Sequence, residues 1–131
     1  MWPFRRSEKS GLGQRGEELA LRLLKRRGMK VLARNYRSPA GEVDLIVLDK
    51  TTRSLRGAET IAFVEVKTRS SDRYTDPEAA VDAEKSRRIR KVADYYLATH
   101  DAEGFNVRFD VVAVLLREGE EPQIKYIPEA F

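Results

Sequence analysis

Two short runs constrain this chain most. Glu42–Leu48 (EVDLIVL) and Ile61–Lys67 (IAFVEVK) are rich in apolar and β-branched residues, yet acids and a lysine interrupt them. Runs of this length and type read as strands of a buried sheet, which needs helices to cover it. The rest of the chain supplies that cover. Gly13–Arg27 has a helical pattern that Gly28 closes, since glycine is the usual C-terminal stop. Val31–Tyr36 reads as a short strand and Ser38-Pro39-Ala40-Gly41 as a turn. The polar stretch Asp49–Thr60 reads as a long, flexible loop, and Asp76-Pro77-Glu78 as a helix start. A second helix runs from about Asp82 to Thr99, with Ile89, Val92, Ala93, Tyr96 and Leu97 on one apolar face. Val107–Leu116 and Gln123–Ile127 complete the strands. The expected class is α/β, a mixed β-sheet flanked by helices in the order α-β-β-β-α-β-β. Residues 1–11 are expected to form a flexible N-terminal tail, and residues 12–131 a single domain.

Composition narrows the chemistry. The chain has no cysteine and one histidine, His100, so thiolate metal sites, cysteine nucleophiles and histidine triads are excluded or improbable on counts alone. No apolar run approaches the ~18 residues of a membrane span, and Met1–Arg6 lacks the apolar core of an export signal. A cytoplasmic protein without membrane contact is expected. Carboxylates, lysines and hydroxyls remain as reactive groups. Residues 1–41 carry 11 Lys or Arg against 3 acids, and arginine outnumbers lysine 17 to 8 overall. That excess suits an anionic partner, nucleic acid above all, because guanidinium pairs bidentately with phosphate. Ordinary solubility explains surface charge as well.

Three placements bring acids together. At about 100° per residue, Glu17 falls inside the stripe of Ala20, Leu21 and Leu24, while Glu18 faces away. A carboxylate aimed at a core must be paired, protonated or bound to a cation. Along Ile61–Lys67, Phe63, Glu65 and Lys67 share a face. If Leu48 faces Ile61 in an antiparallel pair, Asp44 faces Glu65. Taken alone, Glu65-x-Lys67 is what chance supplies. Its context is more telling, because Ile46, Leu48 and Phe63 make the same face apolar at the other end. Two facing carboxylates are hard oxygen donors suited to Mg²⁺ or Mn²⁺. A cation held there would lower the pKa of a bound water and neutralise charge on a phosphate. Lys67 would stabilise the transition state or orient the water, and Glu17 would complete the metal shell directly or through water.

Glu17, then Gly41–Ile46 (GEVDLI), then Phe63–Arg69 (FVEVKTR) resemble the restriction-endonuclease-like, or PD-(D/E)XK, superfamily. More narrowly, the chain from Gly13 to Phe131 is similar to the YraN-type family of uncharacterised bacterial proteins, with Arg34-Asn35-Tyr36, Lys85, Arg88-Ile89 and Arg108-Phe109-Asp110 in the match. Val43 stands where the superfamily typically has proline. The resemblance implies a nuclease-like fold with Asp44 and Glu65 as metal ligands, Lys67 as the catalytic lysine and Glu17 as the helical acid. Lys85, Arg87, Arg88, Arg90 and Lys91, assigned to the outer face of the second helix, are candidates for phosphate contact, with Arg69 beside the site. Tyr74 is a weaker candidate for base stacking. The reading is a metal-dependent nuclease acting on DNA, with branched or structured DNA in view. The alternative is a non-catalytic nucleic-acid-binding protein on the same fold. A homodimer is left open, since a two-fold substrate calls for two sites.

Overall fold

The computed structural model describes residues 11–53, 59–70 and 81–131. Its elements are α1 (Gly11–Arg26), β1 (Lys30–Ser38), β2 (Gly41–Arg53), β3 (Glu59–Arg69), α2 (Ala83–Thr99), β4 (Asn106–Leu115) and β5 (Gln123–Ile127), in the expected order. The five strands form one sheet whose spatial order follows the chain, β1-β2-β3-β4-β5. Every neighbouring pair is antiparallel except β3 and β4, which run parallel across the α2 crossover. Ala20, Leu21 and Leu24 of α1 pack with Leu45, Val47, Val64 and Val112 on one face. Ile89, Val92, Ala93, Tyr96 and Leu97 of α2 pack with Ile46, Phe63 and Phe109 on the other. That α2 set is the one its spacing predicts. Among the described residues, no helix is long and apolar enough to cross a membrane.

The C-terminal end of α1 is set by a glycine. Gly28 takes φ 87°, and the Met29 and Gly28 amides donate to the Leu24 and Lys25 carbonyls at 3.1 and 2.9 Å. This is a Schellman closure, which requires the left-handed residue that glycine supplies. The helix already begins at Gly11, so it takes the last residue assigned to the tail. Residues 1–10 lie outside the described residues. Gly16 seats the helix on the sheet. A Cβ there would lie 1.9 Å from Thr68 Oγ1 and 2.9 Å from Thr68 Cβ, so only a hydrogen allows this approach to β3.

The expected loop over Asp49–Thr60 is corrected. β2 runs on to Arg53 and β3 starts at Glu59, with Asp49 paired to Thr60. The polar residues stay in the ladder because a distant partner neutralises the buried acid. Arg108 Nη1 donates to Asp49 Oδ2 at 2.9 Å, and Thr51 N and Oγ1 donate to Asp49 Oδ1 at 2.9 and 2.5 Å. Arg108 Nε also donates to Asp110 Oδ1 at 2.9 Å, and Tyr126 OH donates to Asp110 Oδ2 at 2.6 Å. Burial alone would lower the Arg108 pKa, but Asp110 and Asp49 outweigh it and hold the guanidinium charged. Burial and Asp110 push the Tyr126 phenol up, so it stays a donor. Asp76-Pro77-Glu78 and Tyr74 lie outside the described residues. The helix start that is described is Asp82, whose carboxylate accepts from the Lys85 amide at 2.8 Å.

Candidate active site

The β2–β3 register is the one read from the strand pattern. Leu48 faces Ile61, and the pairs continue through Ile46 with Phe63 to Leu45 with Val64. One step further would set Asp44 against Glu65, but the pairing stops at Leu45 and Val64, although β2 reaches back to Gly41 and β3 forward to Arg69. The Val66 amide donates instead to Asp44 Oδ2 at 2.8 Å. A side-chain carboxylate has replaced a backbone acceptor, so the strands fork. The chain turns over at this point. Val43 and Leu45 flank Asp44, yet they join cores on opposite faces of the sheet, where strict alternation would put both on one. Across the ladder, Asn35 takes φ 50° and the β1–β2 pairing skips it. Asparagine tolerates this left-handed conformation better than most residues do.

The fork opens a cleft of about 470 Å³ between β2, β3 and the start of α2, lined by Glu42, Asp44, Glu65, Lys67, Lys85 and Arg88 among others. Glu65 is buried, and its Oε2 lies 2.8 Å from Lys85 Nζ. Glu42 pairs with Arg37 at 3.2 Å. Lys67 titrates below the ordinary lysine value. Burial is the main cause, Arg69 and Lys85 add repulsion, and Glu65 and Asp44 act in the opposite sense. A lysine perturbed by burial and charged neighbours in a cleft is a mark of functional sites.

Glu17 is buried, as its helical position requires, while Glu18 is exposed and pairs with Arg34. Glu17 lines an adjoining hollow of about 270 Å³ with Gly13, Thr68 and Arg69, and this hollow shares Val66 and Lys67 with the cleft. Among the described residues, no three acid, histidine or cysteine side chains converge on one point. Glu42, Asp44 and Glu65 line the cleft, and Asp44 and Glu65 are the candidate donor pair of the strand pattern. Two carboxylates fit Mg²⁺ or Mn²⁺, because Mg²⁺ takes one or two protein carboxylates and keeps several waters.

The basic residues of α2 do not act as one stripe. Arg88 lines the cleft. The Arg90 guanidinium lies 4.4 Å from the centre of the Phe109 ring and its Nε donates to Ser86 Oγ at 3.3 Å. Arg87 and Lys91 are exposed. Lys85 is corrected from the outer face to the inner one. It precedes Ile89, Val92 and Tyr96 by four, seven and eleven positions and so heads their buried row. That spacing was the available signal, and the charge of Lys85 obscured it.

A family model described as "Uncharacterised protein family UPF0102" matches residues 16–114. Curated relatives carry the same description, "UPF0102 protein". One from Nocardia farcinica is 44% identical over 124 residues, covering 95% of this chain and 91% of the relative. One from Syntrophus aciditrophicus is 41% identical over 128 residues, covering 98% and 94%. A third, from Solibacter usitatus, is 46% identical over 121 residues, covering 91% and 84%.

Proposed function

The chain belongs to the UPF0102 family, and from that premise we propose that it is a divalent-cation-dependent nuclease that hydrolyses phosphodiester bonds in DNA, with branched or structured DNA as its substrate. The restriction-endonuclease-like reading of its motifs belongs to the same proposal. One observation carries it: an acid pair, Asp44 and Glu65, at a strand fork whose cleft also holds a lysine of lowered pKa, Lys67. When bound, Mg²⁺ or Mn²⁺ supplies Lewis-acid stabilisation of phosphate charge and an activated water.

The protein's own groups have separable tasks. Asp44 and Glu65 are the hard oxygen donors. The Asp44 carboxylate is fixed by the Val66 amide, so its orientation does not depend on a mobile side chain. The Lys67 ammonium stabilises charge that develops on the phosphate, and its position inside the cleft makes that contact stronger than it would be in water. Glu17 acts at one remove, from the adjoining hollow. Arg88 on the cleft wall, with Arg87 and Lys91 outside it, supplies phosphate contacts that position the nucleic acid.

The test is a cleavage assay on duplex, single-stranded, flap and four-way-junction DNA with Mg²⁺, Mn²⁺ or EDTA. Wild type should cut only with metal, and Asp44→Asn and Lys67→Ala should both lose cutting while remaining folded. Salt-sensitive binding without cutting would leave a non-catalytic nucleic-acid-binding protein. Cutting that survives both substitutions would remove the site from these residues.

A further inference from the structure

Building on the proposed cation site, we infer that Lys85 is its resident counter-charge: the ammonium holds the Glu65 carboxylate and competes with a divalent cation for it. The Lys85 Nζ to Glu65 Oε2 distance is 2.8 Å, and the two side chains are 30% and 10% exposed. A carboxylate enclosed to this degree is held in place by a positive partner. Lys85 is built to be that partner. It heads the buried row of α2, and Asp82 fixes the start of the helix by accepting the Lys85 amide.

A divalent cation would enter a cleft that already carries positive charge. Lys67, Lys85 and Arg88 already line it, and a divalent cation on Asp44 and Glu65 adds two more. Lys85 is the cation whose ammonium touches Glu65, at 2.8 Å, so a metal ion that takes up this carboxylate displaces it first. Lys85 is the group that yields. Released, it would share the cleft with Arg88 and be available to a phosphate there. Lys85 is thus a positioning residue that keeps Glu65 in its liganding pose without metal and turns to the anion once metal is bound.

The experiment titrates Mn²⁺ into the whole protein by calorimetry at one pH and ionic strength, without nucleic acid. It uses wild type, Lys85→Met, Lys85→Gln, Lys85→Arg and Asp44→Asn. Removing the competing charge should tighten Mn²⁺ binding about two- to fivefold in both Lys85→Met and Lys85→Gln, since even a partly exposed ion pair must be broken for the cation to enter. Lys85→Arg should stay near wild type, which separates charge from packing, and Asp44→Asn should abolish binding. Equal or weaker Mn²⁺ affinity in the two uncharged variants, with Asp44→Asn still abolishing it, would overturn the competition and leave the cation site standing. Failure of every variant and wild type to bind Mn²⁺ would overturn both.

Discussion

Replacing Gly16 by alanine sets two effects of opposite sign against each other. In an isolated helix the change favours folding by about 1 kcal/mol, because alanine is the better helix former. Here the new methyl would meet Thr68 at 1.9 Å (Oγ1), 2.8 Å (Cγ2) and 2.9 Å (Cβ), against the 3.4 Å at which ordinary contact begins. Rotating Thr68 relieves the first two contacts but not the third, so α1 must lift from β3. Overpacking of this kind costs about 1–3 kcal/mol. The net expectation is a loss of up to about 2 kcal/mol, or up to ~8 °C in Tm at roughly 4 °C per kcal/mol for a chain of this length. Thermal and urea unfolding would measure it. Gly11→Ala, where nothing lies within 4 Å of the added carbon, should show no loss. Gly16→Ala combined with Thr68→Ala should recover part of the deficit, because only the Thr68 Cβ contact remains. A Gly16→Ala protein that melts above wild type by the helix-propensity increment would refute this seating of α1, and with it the placement of Glu17 on the next residue.

Two further perturbations probe the opposite ends of the sheet. Arg108→Met would leave Asp49 and Asp110, whose side chains are 3% and 0% exposed, without their shared cation. Breaking such a buried pair costs about 3–5 kcal/mol, so the urea midpoint should fall sharply; a loss under ~1 kcal/mol would contradict the network. Lys67 should give up its proton at lower pH than the 10.5 of a free lysine. Because the fold disfavours its charged form, stability from this residue should rise with pH between the folded pKa and 10.5. Arg69→Gln removes one repulsive neighbour and should move the titration upward, as followed by NMR of methylated lysines. A Lys67 that titrates at or above the ordinary value would contradict its enclosure in the cleft.

Much of the site could be read from periodicity. Alternation along Ile61–Lys67 and the apolar match of Leu48 to Ile61 predict the register that the ladder follows as far as Leu45 and Val64, and the buried position of Glu17 followed from helical spacing. Strand and helix periods are local properties, so a single sequence carries them. Features that depend on distant partners were hidden. Asp49 looked like loop because the arginine that keeps it in the strand is 59 positions away. The fork at Asp44 needs a carboxylate to take over a backbone hydrogen bond from Val66, which no residue count announces. Lys85 is intermediate. Its spacing placed it in the buried row, but its charge placed it among the solvent-facing cations, and only the presence of Glu65 decides between them.

The agreement between strand order in space and in sequence also sets a timetable. The β1–β2–β3 meander closes through consecutive antiparallel pairs, the kind of local contact that forms quickly, whereas the parallel β3–β4 pair must wait for the whole α2 crossover. On the ribosome, where the chain emerges from its N-terminus, Asp44, Glu65 and Lys67 leave the exit tunnel ahead of Lys85. The acid pair belongs to the early part of the molecule and its counter-charge to the late part. Translation therefore delivers the candidate site in two instalments, with α2 supplying the second.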